Sequence, residues 1–85
     1  MNHSKPLNDI LHEKGNLFFN SKNYKEALET FELAAKVSPT FAEAYFWMGK
    51  TKQAMGDAAE AKLDYQRAYV LDKSLKEAKD AAGKL

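Results

Sequence analysis

The chain of 85 residues contains no cysteine, only two prolines and a single tryptophan, and it has no long apolar run. Without cysteine, disulfide bonds cannot hold so short a domain together, and thiolate metal sites are excluded as well. A small chain without such cross-links must rely on regular local structure, on close packing, or on help from a partner.

An excess of charge of one sign is also absent. Thirteen basic residues, of which only one is arginine, oppose 12 acidic residues and give a formal net charge of +1. Such a balance lacks the positive patch that a nucleic-acid duplex or an anionic membrane attracts. No apolar run approaches the roughly 20 residues of a membrane span, and residues 1–8 lack the apolar core of a secretory signal. We therefore expect a cytoplasmic protein that binds neither nucleic acid nor membranes.

What the sequence does contain is an internal repeat of 34 residues, seen in the spacing of Gly15, Gly49 and Gly83. Apolar and small residues follow the same step. They pair Ala27 with Ala61, Phe31 with Tyr65, Ala34 with Ala68, and Leu7 with Phe41 and Leu75. Self-similarity at this period is typical of stacked supersecondary units, so the repeat sets both the elements and their order.

Four polar residues in the same register are each followed three residues later by glutamate, which is a signature of helix N-termini. They are Asn23, Thr40, Asp57 and Ser74. Each unit is therefore predicted to be helix, turn, helix, after a first helix that begins around Pro6 or Leu7. We predict five helices at about 7–20, 24–37, 41–55, 58–71 and 75–84, and no strand pattern competes with them.

Gly15 and Gly49 lie in the middle of predicted helices, where glycine costs about 1 kcal/mol relative to alanine. We interpret them as places where the second helix of each unit approaches closely, through its alanine face. The last helix carries a narrow apolar stripe and is predicted to cover the open edge of the second unit. The stripe consists of Leu75, Ala78, Ala82 and Leu85.

In its period and in its small and aromatic positions, the sequence resembles the tetratricopeptide repeat. The positions are Gly15, Phe18, Ala27, Phe31, Ala34 and Pro39, then Tyr45, Met48, Gly49, Ala61, Tyr65 and Ala68. The resemblance implies an all-α fold, a right-handed superhelical stack of antiparallel helical hairpins. It implies one domain over residues 1–85, with repeat one at about 8–41, repeat two at about 42–75 and a capping helix at about 75–84. Lys14 and Lys52 depart from the pattern, because they occupy slots that are usually large and apolar.

The resemblance also implies a non-enzymatic scaffold or co-chaperone-like adaptor that binds a peptide or a partner protein in a concave groove. The groove-facing slots are Asp9, His12, Asn16, Phe19 and Asn20 in the first unit, and Glu43, Phe46, Trp47, Lys50 and Gln53 in the second. Phe46 falls in a slot that is often exposed in the family, which favours contact with a partner. Trp47 is equally consistent with a groove role and with packing against the neighbouring helix.

The segment from His12 to Asn16 is similar to the opening of domains that clamp the C-terminal carboxylates of heat-shock chaperones. Of the five clamp residues, only Asn16 is kept. The other four positions fall at His12, Trp47, Glu77 and Ala81. Because Glu77 has the wrong charge and Ala81 has no polar group, we expect a different peptide or protein surface.

Two alternatives to a peptide-binding module remain open. Asp9, His12 and Asn16 share one helix face, which is a metal-site pattern, but we favour a solvated polar face and predict no metal, no cofactor and no catalysis. Two repeats are fewer than the three that usually stabilise such a stack, so self-association is the second alternative. Its candidate surface for a homodimer consists of Leu7, Ile10, Leu17 and Phe19.

Overall fold

The computed structural model describes residues 6–85, which form five α-helices in chain order. They are α1 (Leu7–Asn20), α2 (Tyr24–Val37), α3 (Ala42–Ala54), α4 (Ala58–Leu71) and α5 (Lys76–Gly83). No strand occurs within this part of the chain. The predicted all-α fold is confirmed, with every helix bound within one residue of its expected place. The first five residues of the predicted domain lie outside the described residues.

The helices pack mainly on their neighbours along the chain, so that α2 contacts α1 and α3, and α4 contacts α3 and α5. Short turns join them, which makes consecutive helices antiparallel. The described residues extend over 45 × 28 × 18 Å, an elongated shape that suits a stack built from local contacts.

The core consists of two apolar clusters, one after the other along the stack. Phe31 lies at the centre of the first cluster and Tyr65 at the centre of the second, and both side chains are fully buried. These two residues are equivalent positions of the repeat. Tyr45 and Trp47 pack against both clusters, so that α3 connects the two cores.

The predicted close approach at Gly15 and Gly49 is confirmed. A Cβ atom at Gly15 would lie 2.5 Å from Cε1 of Phe31. A Cβ atom at Gly49 would lie 2.8 Å from the ring of Tyr65 and 3.2 Å from the backbone oxygen of Ala61. Glycine is therefore required in both helices by the aromatic ring of the next helix.

The predicted helix caps are only partly right. Asp57 is the N-cap of α4, and its Oδ1 accepts a hydrogen bond from the backbone N–H of Glu60 at 3.2 Å. Asn23 stands at the N-cap of α2, but its side chain makes no capping hydrogen bond. Of the four side-chain caps that the sequence predicts, the one at Asp57 is confirmed.

Thr40 is not the cap of α3, because that helix begins one residue later, with Phe41 at the N-cap position. A tight turn explains the difference. The backbone N–H of Phe41 donates to the carbonyl of Ser38 at 2.9 Å, which places Thr40 inside the turn. Thr40 therefore lies just before α3, as predicted, but in a turn and not at the N-cap.

Ser74 is likewise not the cap of α5, where Leu75 takes the N-cap position. The backbone N–H of Leu75 donates to the carbonyl of Asp72 at 3.0 Å, so the turn repeats with the period of the sequence. Ser74 instead donates its hydroxyl to Oδ1 of Asp72 at 2.6 Å and its backbone N–H to the same atom at 3.0 Å. These two hydrogen bonds stabilise the carboxylate and hold the pKa of Asp72 below its ordinary value.

Candidate functional site

A pocket of about 340 Å³ opens between α3 and α5, with α4 behind it. Phe46, Lys50 and Gln53 line it from α3, where steps of four and three residues place them on one helix face. The other lining residues are Tyr65 from α4 and Glu77, Asp80, Ala81 and Lys84 from α5. The structure therefore brings together three of the ten predicted groove residues in one concave site.

The pocket carries balanced charge, with Lys50 and Lys84 opposed by Glu77 and Asp80. One hydrogen bond joins two of its polar groups. The hydroxyl of Tyr65 donates to Oε1 of Gln53 at 2.7 Å, and burial raises the pKa of that hydroxyl. The pocket therefore offers hydrogen-bonding groups of both charges beside an aromatic wall.

Phe46 forms part of that wall, but it is not the exposed anchor that its slot suggests. Its side chain is only 8% exposed, and its ring centroid lies 5.7 Å from that of Tyr65. The Nζ atom of Lys50 lies 5.2 Å from the ring centroid, within the range of a cation–π contact. Packing between α3 and α4 buries most of Phe46, so its expected exposure is wrong.

Trp47 is the centre of an aromatic group between α1, α2 and α3. Its ring stacks on Phe31 at a centroid distance of 6.0 Å and meets Phe19 edge to face at 5.4 Å. The Nζ atom of Lys50 lies 4.8 Å from its centroid. Packing between helices thus accounts for Trp47, as one of the two interpretations expected, and a groove role stays a prediction.

His12, Asn16 and Glu43 form a second polar group, where α1 meets α3. Nδ2 of Asn16 donates to the backbone carbonyl of His12 at 2.8 Å, and Nε2 of His12 lies 3.6 Å from Oε2 of Glu43. The imidazole also meets Phe41 and Trp47 edge to face. Aromatic rings therefore surround the His12 imidazole, while Asn16 is bonded to the backbone of His12.

Asp9 and Asn20 are exposed at the two ends of α1, and neither lines the pocket between α3 and α5. Within residues 6–85, no group of three His, Asp or Glu side chains is placed to hold a metal ion. Nor does any helix in that range combine the length and the apolarity needed to cross a membrane.

Sequence reasoning missed one ion pair between α3 and α4, which does not line the pocket. Asp64 on α4 is only 3% exposed, and its Oδ2 lies 2.8 Å from Nζ of Lys52 on α3. Lys52 is the residue that departs from the apolar pattern of the repeat, and Asp64 is its partner. A lysine in an apolar slot was the available signal, because a buried ammonium requires a counter-charge.

Sequence reasoning also assigned no groove role to α5, although this helix supplies half of the pocket lining. Glu77, Asp80, Ala81 and Lys84 share one face of α5 because they recur at steps of three and four residues. That spacing was the signal.

Comparison with known proteins agrees with this architecture. A family profile described as TPR repeat matches residues 15–56, and one described as Tetratricopeptide repeat matches residues 42–75. Heat shock protein STI1 of Saccharomyces cerevisiae (strain ATCC 204508 / S288c) is 30% identical over 78 residues, which cover 91% of this chain. The chain spans 13% of the length of that relative.

A solved structure described as the first TPR of Spaghetti (RPAP3) bound to HSP90 peptide SRMEEVD superposes with a TM-score of 0.88. It is 23% identical, and the match covers 92% of this chain and 62% of the other. At that identity the likeness establishes the fold.

Antiparallel helix pairs that stack in chain order, with a groove between α3 and α5, define a helical-repeat protein. The two matching profiles, which together cover residues 15–75, specify the kind of repeat. The chain belongs to the tetratricopeptide repeat family.

Proposed function

We propose that this chain is a non-enzymatic interaction domain that binds a peptide or an extended segment of a partner protein in the groove between α3 and α5. The observation that carries the proposal is the pocket of about 340 Å³, in which Lys50, Gln53 and the charged side chains of α5 surround the small exposed part of Phe46. Peptide sites combine apolar contact area with a few fixed polar groups in this way.

The comparisons support a peptide as the class of ligand. The structural relative is described as bound to an HSP90 peptide, and the relative from yeast is named a heat shock protein. The details of this chain argue against a clamp for acidic peptide tails. Glu77 and Ala81 line the pocket where the clamp would close with a lysine and an arginine. We therefore propose a ligand of mixed or neutral charge, whose polar groups contact Lys50, Gln53, Glu77 and Asp80.

The groups at the junction of α1 and α3 extend the proposed site. Glu43 is exposed next to His12, so a peptide that leaves the pocket along α3 would meet a carboxylate there. Asp9 and Asn20 stay proposals for the outer parts of the groove. An adaptor or scaffold role and a cytoplasmic location likewise stay predictions from the sequence.

A selection from a random peptide library displayed on phage, followed by affinity measurement, tests the proposal. We expect Lys50→Glu to weaken the selected peptides at least fivefold, because it removes a donor and adds a third carboxylate to the pocket. The matched control is Lys25→Glu, which makes the same charge change at an exposed position of α2 outside the pocket. Equal effects of the two substitutions would reject the groove between α3 and α5.

Self-association is the second candidate, because three residues of its predicted surface are exposed on α1. They are Leu7, Ile10 and Leu17. The fourth residue, Phe19, packs against Trp47 and Tyr24 and contributes less to such a surface. Sedimentation velocity over a hundredfold concentration range decides the matter, since a constant monomeric mass rejects a homodimer and a rise in mass that Leu17→Lys abolishes supports it.

A further inference from the structure

Gly83 is the third glycine in the 34-residue series, and it differs from the first two in what surrounds it. Gly15 lies against the ring of Phe31 and Gly49 against the ring of Tyr65, each from the following helix. A Cβ atom at Gly83 would meet no other atom of residues 6–85 within 4 Å. A following helix therefore covers Gly15 and Gly49, but no described residue covers the equivalent Gly83.

The space beside Gly83 is an apolar groove between α4 and α5, with a volume of about 390 Å³. Its apolar part is formed by Tyr69 and Val70 of α4 and by Ala82 and Gly83 of α5, while Lys62 and Lys79 supply its charges. The groove is separate from the site described above, because it shares no lining residue with the pocket between α3 and α5.

The preceding repeat shows how this kind of groove is filled. There α4 packs against α3, with the ring of Tyr65 on Gly49 and the guanidinium of Arg67 at 5.3 Å from the ring centroid of Tyr45. Thirty-four residues further on, Gly49 corresponds to Gly83 and Tyr45 corresponds to Lys79. Both corresponding residues line the groove.

Because Lys79 stands where the preceding repeat has Tyr45, a helix that binds to α5 needs a different side chain at the position of Arg67. An arginine in the place of Arg67 would face an ammonium group, whereas an acidic residue would form an ion pair with it. Lys73 and Lys79 add positive charge over Tyr69, with Nζ atoms 5.5 and 5.8 Å from its ring centroid. Positive charge around an apolar floor is complementary to an acidic amphipathic helix.

We propose that the groove between α4 and α5 binds an amphipathic helix of a partner protein, which packs on α5 as α4 packs on α3. The helix places an aromatic side chain on Gly83 and an acidic side chain, two residues later, next to Lys79. This surface is additional to the groove between α3 and α5, so a partner can contact both.

A peptide taken from the chain itself serves as the probe. It comprises residues 57–72 with Arg67→Glu, blocked ends and a fluorescent label, and its binding is followed by fluorescence anisotropy. The same peptide with Arg67 retained is the charge control, and the peptide with an added Tyr65→Ala is the packing control. We expect the glutamate peptide to bind at least fivefold more tightly than the arginine peptide and at least tenfold more tightly than the alanine peptide.

Variants of the chain locate the binding. Gly83→Leu fills the groove and is expected to weaken the glutamate peptide at least tenfold. Lys76→Leu puts the same side chain at an exposed position of α5 that lines neither groove, and is expected to change binding less than twofold. Lys79→Glu is expected to reverse the order of preference, so that the arginine peptide binds more tightly.

Three results would overturn the proposal. The first is that the glutamate peptide does not bind, or binds to Gly83→Leu as tightly as to the unchanged chain. The second is an unchanged order of preference in Lys79→Glu. The third is self-association of the free chain that Gly83→Leu abolishes, since a second copy would then be the occupant.

Discussion

Two glycines decide how closely the helices of each repeat approach. At Gly15 and Gly49, an aromatic ring of the next helix occupies the volume that a side chain would need. Both rings are fully buried, so neither can turn away without opening a cavity elsewhere in the core. The sequence predicts a close approach of the second helix because glycine in mid-helix requires a reason other than helix propensity, but it points to the alanine face and not to these rings.

Substitution of these glycines by alanine tests the contact, with Gly83 as the matched control. An added methyl group in a filled core typically costs about 1–3 kcal/mol, and the better helix propensity of alanine returns up to about 1 kcal/mol. We expect Gly15→Ala and Gly49→Ala to lower the free energy of unfolding by about 1–2 kcal/mol in urea titrations. Gly83→Ala should leave it unchanged or raise it slightly. Equal effects at all three positions would contradict the account.

At the scale of the helices, an ion pair fastens α3 to α4 beside the apolar contact. Asp64 is buried, and Lys52 is its nearest cation at 2.8 Å, with Arg67 further away at 4.0 Å. Such a pair adds little compared with an apolar pair of the same size, but the loss of one partner leaves a buried charge uncompensated. Removing either Lys52 or Asp64 alone should therefore destabilise the protein more than replacing both by apolar residues.

A double-mutant cycle measures that dependence. We expect Lys52→Met to lower the free energy of unfolding by about 3 kcal/mol, because the Asp64 carboxylate loses its counter-charge. Adding Asp64→Leu should restore most of the loss, since both groups are then apolar. Chemical denaturation monitored by circular dichroism gives both values. A loss below about 1 kcal/mol in Lys52→Met, or no recovery in the double variant, would show that the pair is solvated.

The sequence predicts those features of a helix that neighbouring residues determine, and it fails for those that depend on packing between helices. The starts of α2 and α4 are predicted from Asn23 and Asp57, each followed three residues later by glutamate, and they agree with the structure. The caps at Thr40 and Ser74 fail because backbone hydrogen bonds across the preceding turn decide where a helix begins. The pairing of Lys52 with Asp64 and the burial of Phe46 depend on how α3 lies against α4 and α5. Neighbouring residues in the sequence do not determine these contacts.

At the scale of the whole molecule, α5 lines two separate grooves. One side completes the pocket that begins at Phe46 and Lys50, and the other side borders the apolar groove at Gly83. The helix that the sequence predicts as a cap therefore borders both proposed binding surfaces. A partner that fills both grooves would add apolar contacts to the stack formed by residues 6–85.

Peptide binding between α3 and α5 is tested most directly by a map of amide chemical-shift changes in the ¹⁵N-labelled chain. The ligand is a peptide selected from the random library, added in steps to saturation. The account predicts the largest changes at Lys50, Gln53, Glu77 and Asp80. Changes confined to α2, or centred on Gly83 with these four residues unaffected, would contradict it.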